Sequence, residues 1–166
     1  LGFKVNSAEY KVMGVAPYGE PRYAKVILDR LILLQEDGSF KVNRKYFAYA
    51  HGLRMTNSHF EKLFGQPVRA PESRLEVFHK DMAASIQAVT EEIVLRMCKT
   101  LYKETGLTKL CMAGGVALNC VANGRVVRET PFKELFVQPA AGDAGGAAGV
   151  AAYIHFKHLH NKRSAI

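Results

Sequence analysis

The residues best placed to do chemistry lie in two small-residue stretches, AGGVALN at 113–119 and PAAGDAGGA at 139–147. Each follows a short apolar run, KLCM and ELFV, that reads as a buried strand. Gly114 and Gly115 let the main chain come close to a ligand. A helix opened by them would turn free N–H groups and the positive end of its dipole toward a phosphate. The second stretch repeats the arrangement with Gly142 and adds a single charge, Asp143. A carboxylate at a helix N-terminus repels a phosphate unless a cation stands between them. Asp143 is therefore either a helix cap or a metal ligand that bridges to phosphates, and spacing leaves both readings open. The glycines likewise serve either a ligand or the close packing of helix on sheet. Neither stretch is G-x-x-x-x-G-K-S/T or G-x-G-x-x-G.

Asn119, four residues after Gly115, falls in the first turn of the next helix, where its amide serves the turn or faces a ligand. Lys11 in EYKVMG is a candidate phosphate contact, and Asn123–Gly124 read as a break or packing point. No Ser-His-Asp or Cys-His arrangement has supporting spacing. His155, His158 and His160 include no i, i+4 pair of the kind that binds metal on a helix face.

The elements that must position these residues form two unlike subregions of one domain, 1–70 and 71–166. In the first, SAEYKVMGVA reads as a short helix with Ser7 as its cap, stopped before Pro17. PRYAKVILDRLI has helical character, and LLQEDGSFKVNRKYF alternates around an Asp-Gly turn as a β-hairpin. TNSHFEKLFG reads as a helix capped by Thr56 or Asn57 and stopped by Gly65. In the second, Ser73 and Glu76 have capping-box spacing ahead of a long helix. Its apolar stripe is Leu75, Phe78, Met82, Ile86, Val89, Ile93, Met97 and Leu101, and Gly106 ends it. Strand, helix, strand, helix then follow. That alternation predicts parallel pairing in an α/β sheet, with ligands beyond the carboxyl ends of the strands.

A chain of 166 residues can bury a real core, and no apolar run reaches the roughly 20 residues of a membrane span. The first residue is not Met and no signal-peptide pattern follows, which reads as a piece of something longer. Three scattered cysteines, Cys98, Cys111 and Cys120, read as reduced, mostly buried thiols of a cytoplasmic protein. The net charge of +8 suits an anionic partner, but Lys and Arg are spread along the chain without interleaved aromatics. This argues against a nucleic-acid partner. The densest basic group, HFKHLHNKRS at 155–164, reads as a solvated tail.

Four blocks together carry a resemblance: AEYKVMGVAPYGEP (8–21), SIQAVTEEIV (85–94), LCMAGGVALNCVANGRV (110–126) and FVQPAAGDAGGAAGVA (136–151). The chain resembles the O-carbamoyltransferase family of nodulation-factor and antibiotic-modifying enzymes. The resemblance implies an actin-like ATPase (ribonuclease H-like) domain, of which this chain matches the later part. It implies a carbamoyl adenylate made from ATP and carbamoyl phosphate, whose carbamoyl group passes to a hydroxyl of a sugar-like acceptor with help from a divalent, iron-type metal. On that resemblance Asp143 matches a metal ligand, Gly114, Gly115 and Asn119 match the loop at the adenylate, and Lys11 and Gly14 match a segment near the nucleotide. The family's His-x-x-x-His metal motif has no counterpart among His51, His59, His79, His155, His158 and His160. The adenylate-forming domain is not in this chain either. The expectation is part of an active site, inactive alone and open to self-association through an exposed face. The alternative is a nucleotide-binding module without catalysis.

Overall fold

Turn chemistry fixes the first sheet. A computed structural model describes residues 1–163, and in it β1 (Ile32–Leu34) and β2 (Phe40–Val42) pair antiparallel with Ile32 opposite Val42. The Asp37 carboxylate accepts from the Ser39 hydroxyl at 2.7 Å and the Ser39 N–H at 2.8 Å, which tightens the Asp-Gly turn. Those bonds, the side-chain one foremost, hold its carboxyl below the usual carboxylate range.

Four helices surround this hairpin in sequence. α1 (Tyr10–Val15) starts at Glu9 rather than Ser7, because the Glu9 carboxylate reaches back to the Asn6 N–H. α2 (Ala24–Val26) runs on into a wider π-type turn, Ile27–Leu31. α3 (Ser58–Phe64) is capped by Asn57, whose Oδ1 accepts from the His59 N–H at 2.9 Å, and it ends at Gly65. α4 (Val77–Thr105) begins later than Ser73 predicts. Ser73 Oγ instead closes a turn onto the Ala70 carbonyl, and the capping box forms between Glu76 and His79, with Glu76 N–H donating to His79 Nδ1 at 3.0 Å.

The core of this part is Ile27, Leu31, Tyr46, Phe64, Met82 and Val89. The stripe read from α4 is only partly the buried one. Ile86, Met97 and Leu101 are 37%, 45% and 41% exposed, while Asp81 and Ser85 are buried. The reason is polar. Asp81 Oδ1 accepts from the Glu20 N–H at 2.9 Å, and Ser85 Oγ accepts from the Tyr23 N–H at 2.9 Å. The 19–23 segment lies on that face, and its part-buried N–H groups find their acceptors there.

The chain packs as two units, Leu1–Gly106 and a second from Leu107 onward. In the second, β3 (Lys109–Met112), α5 (Cys120–Glu129) and β4 (Glu134–Val137) form a β-α-β unit. The strands pair parallel, with Lys109 opposite Glu134 and Cys111 opposite Phe136. α6 (Gly145–Tyr153) follows and passes into a π-type turn, Ile154–His158. The architecture is mixed α/β with small sheets. No helix among the described residues is long and apolar enough to cross a membrane. Of the basic C-terminal group, Ser164 lies outside the described residues.

Two burial expectations need correction. β4 is not a buried strand: Leu135 and Val137 are half-buried, and Phe136 is 61% exposed. Cys111, on the same face as Phe136, is exposed, and so is Cys120. The strand period of two places Leu110 inside and Cys111 outside, and α5 can cover only one face of a two-stranded sheet. Cys98 is the buried thiol, and burial pushes its pKa up.

Two outcomes follow. Asp81→Ala should destabilise by about 1–2 kcal/mol in urea unfolding, since the part-buried Glu20 N–H loses its acceptor while Arg22 keeps Glu20 as a partner, whereas Ile86→Ala should cost under about 1 kcal/mol. Ellman's reagent should titrate two thiols rapidly under native conditions, Cys111 and Cys120. The third, Cys98, should react only on unfolding.

Candidate functional site

At the end of β3 the chain turns through Gly114, whose φ of 98° and ψ of 162° suit glycine almost alone. That geometry aims the Gly114 N–H across at the neighbouring loop, where it donates to the Ala141 carbonyl at 2.8 Å. A single 3-10 turn, Gly115–Leu118, comes next. The Ala117 N–H closes it onto Gly114 O at 3.1 Å. Gly115 and Val116 open that turn, so their N–H groups have no acceptor within it.

α5 therefore starts at Cys120, four residues later than the sequence suggests. Asn119 is its N-cap, with Oδ1 accepting from the Ala122 N–H at 3.1 Å. The polar side chain that sequence reasoning undervalued is Asn123. Its Nδ2 donates to Ala117 O at 2.7 Å and ties the 3-10 turn to α5, while its Oδ1 is buried without a hydrogen-bond partner among the described residues. The Asn-x-x-x-Asn spacing, 119 and 123, is the signal that both amides face the same turn.

The second loop meets the first. A Cβ built on Gly142 would stand 3.6 Å from the Gly115 Cα, an ordinary contact, so Gly142 and Gly115 face each other. Gly145 N–H donates to Gly142 O at 2.9 Å and Gly146 N–H to Asp143 O at 3.1 Å, which turns the chain into α6. The N-cap of α6 is Ala144, with no side-chain cap bond. Asp143 is exposed, and its carboxylate makes no hydrogen bond or ion pair among the described residues. The cap reading of Asp143 is thus not the one the fold adopts.

The packing reading holds for Gly145, where a Cβ would stand 2.3 Å from the Ala140 carbonyl oxygen, and fails for Gly114 and Gly115. Nothing lies within 4 Å of a Cβ built on Gly114 or Gly115. Gly114 is required by its φ, and Gly115 opens onto empty space. The structure brings Gly114, Gly115, Asn119, Gly142 and Asp143 into one pair of adjoining loops.

Lys11 and Gly14 belong to α1 in the first unit. Lys11 Nζ lies 6.0 Å from the centroid of the Phe3 ring. Gly14 sits in mid-helix with nothing within 4 Å of a built Cβ, so packing does not demand a glycine there.

A metal is a separate question. Asp143 is the sole charged side chain of the two loops, and no group of three or more His, Cys, Asp or Glu among the described residues could hold an ion. One carboxylate does not make a transition-metal site. The residues present do not fit a metal by themselves.

Comparison with known proteins settles the relationship. The family model for the carbamoyltransferase N-terminus matches residues 1–152. The chain belongs to the carbamoyltransferase family. An uncharacterized protein of Synechocystis sp. is 60% identical over 162 residues, 98% of this chain and 26% of the relative. The nodulation protein NolO of Bradyrhizobium diazoefficiens is 38% identical over 143 residues, 86% of this chain and 24% of the relative. A tRNA N6-adenosine threonylcarbamoyltransferase of Listeria innocua is 34% identical over 88 residues, 51% of this chain and 26% of the relative. The chain spans about a quarter of the length of each of these relatives, and the first two match it over 98% and 86% of its own length.

The roles of the two loop residues separate in one experiment. Asn119→Ala should cost about 1 kcal/mol of stability through the lost cap. Asp143→Ala should leave stability within about 0.5 kcal/mol, since its carboxylate has no partner to lose. Urea unfolding of both variants checks the contrast.

Proposed function

We propose that this carbamoyltransferase chain carries the nucleotide-facing part of the transferase site. The substrate would be carbamoyl adenylate, made from ATP and carbamoyl phosphate, and the acceptor a hydroxyl of a sugar-like molecule. The observation that carries the reading is the pair of adjoining loops in which Gly114 and Gly115 have nothing within 4 Å of a built Cβ among the described residues, in the same pair of loops as Asp143, whose carboxylate has no partner among them. The later part of an actin-like ATPase fold suits the β-α-β unit, with ligand beyond the strand ends.

The chemistry sets what the loops must do. The acceptor oxygen bonds to the carbamoyl carbon. The bond from that carbon to the adenylate phosphate oxygen breaks, its electron pair leaves on AMP, and the hydroxyl proton goes to a base. Main-chain N–H groups of Gly115 and Val116 would hold the phosphate as its charge grows. Asp143 would stand at the reacting end, as one ligand of a divalent metal, iron by family resemblance, whose other ligands come from outside this chain. Family resemblance also proposes Lys11 and Gly14 as nucleotide contacts, and Asn119 would keep the loop shaped for the adenylate.

The absence of a ligand cluster around Asp143 among the described residues favours a second reading, nucleotide binding without catalysis. The test is carbamoyl transfer by the longest natural parent of the chain. Asp143→Asn should lower kcat about a hundredfold or more, with ATP affinity changed by less than about threefold. Transfer unaffected by that substitution would overturn the catalytic assignment. ATP binding by a parent that transfers nothing would select the second reading.

A further inference from the structure

Ala117 is 2% exposed and belongs to the single turn Gly115–Leu118, so its carbonyl oxygen must find a donor inside the protein. Were that turn the first turn of α5, the donor would be the Val121 N–H, four residues on. The chain is built otherwise. Asn119 stands between the turn and Cys120 with φ of −73° and ψ of 90°, an extended backbone that interrupts the helix. Ala117 O is taken by Asn123 Nδ2 at 2.7 Å, six residues on. Only the NH2 side of an amide can donate to a carbonyl, so the partner fixes which way the Asn123 amide faces. Its Oδ1 is buried with no partner among the described residues, so the bond to Ala117 is what orients the side chain.

Two asparagines divide the work at this junction. Asn119 Oδ1 accepts the Ala122 N–H at 3.1 Å and starts α5. Asn123 is already inside α5, with its own N–H on Asn119 O at 3.0 Å, and its side chain reaches back past that start. It fills, with a side-chain donor, the acceptor that a continuous helix would fill with main chain. Competition of this kind with helical hydrogen bonds is why Asn disfavours helix interiors.

We propose that Asn123 is a positioning residue: by holding Ala117 O it keeps Gly115–Leu118 a separate 3-10 turn, and it thereby sets the affinity of the Gly115 and Val116 N–H groups for a phosphoryl oxyanion. The ligand rests on the nucleotide reading above. The residue rests on the Asn123–Ala117 bond. Without that bond, Ala117 O is left to the Val121 N–H, the turn joins α5, and its first N–H groups take the direction of the α5 axis.

The experiment is hydrogen–deuterium exchange of the longest natural parent, unaltered and as Asn123→Ala. Asn123→Leu, which keeps the volume and also lacks the donor, is the second variant. In the free protein, exchange at Cys120 and Val121 should slow, because the extended helix gives their N–H groups acceptors. A variant that is merely loosened exchanges faster there, so the sign separates positioning from general destabilisation. The ATP concentration that half-protects segment 112–119 should rise about tenfold. Exchange at Cys120 and Val121 that is unchanged or faster in both variants overturns the proposal. Half-protection unchanged in a variant whose exchange has slowed overturns it as well. If ATP protects segment 112–119 not even in the unaltered parent, the nucleotide reading falls, and exchange at Cys120 and Val121 still decides whether Asn123 sets the turn.

Discussion

One hydrogen bond organises the candidate site: the Gly114 N–H to the Ala141 carbonyl, 2.8 Å. It joins the loop after β3 to the loop after β4, and it forms only because Gly114 adopts a φ of 98°. While Asn119 and Asn123 shape the first loop locally, the meeting of the two loops depends on that crossing. It seats Gly142 against Gly115 and leaves the Gly115 and Val116 N–H groups at the mouth of a short turn. It also sets Asp143 at the rim. Without it, the parallel pairing of β3 and β4 would bring two strand ends together but would not make one cradle of two loops.

Much of the fold was legible because its signals are local. An Asp-Gly pair between alternating runs made the hairpin. Asn57 and Gly65 bracketed α3, and Gly106 closed α4. Strand-helix alternation gave the parallel β3–β4 pair. What was not legible depended on distant partners. Ser73 has the spacing of a cap, but Ala70 O lay closer to hand, and Glu76 and His79 made the box instead. Asp81 and Ser85 look like solvent residues in the sequence. They are buried because main-chain donors 61 and 62 residues away need them.

The site divides the same way. The loop glycines and Asp143 stand out in the sequence as a run of small residues with one charge. Whether Asp143 capped a helix was undecidable until Ala144 took that position with no side-chain bond. Asn119 gave away its place near the helix start but not its work as the cap. Cys111 and Cys120 were misread because apolar neighbours in sequence say nothing about which face of a two-stranded sheet is covered.

Family membership supports the proposed chemistry, and the open Cβ sides of Gly114 and Gly115 support its proposed place. The central claim is that the paired loops bind the phosphate of a nucleotide. Hydrogen–deuterium exchange of segments 112–119 and 139–146, with and without ATP, tests it most directly. The account predicts slower exchange in both segments together, since one hydrogen bond couples them. Exchange unchanged in both, at ATP concentrations that saturate the longest natural parent, would contradict it.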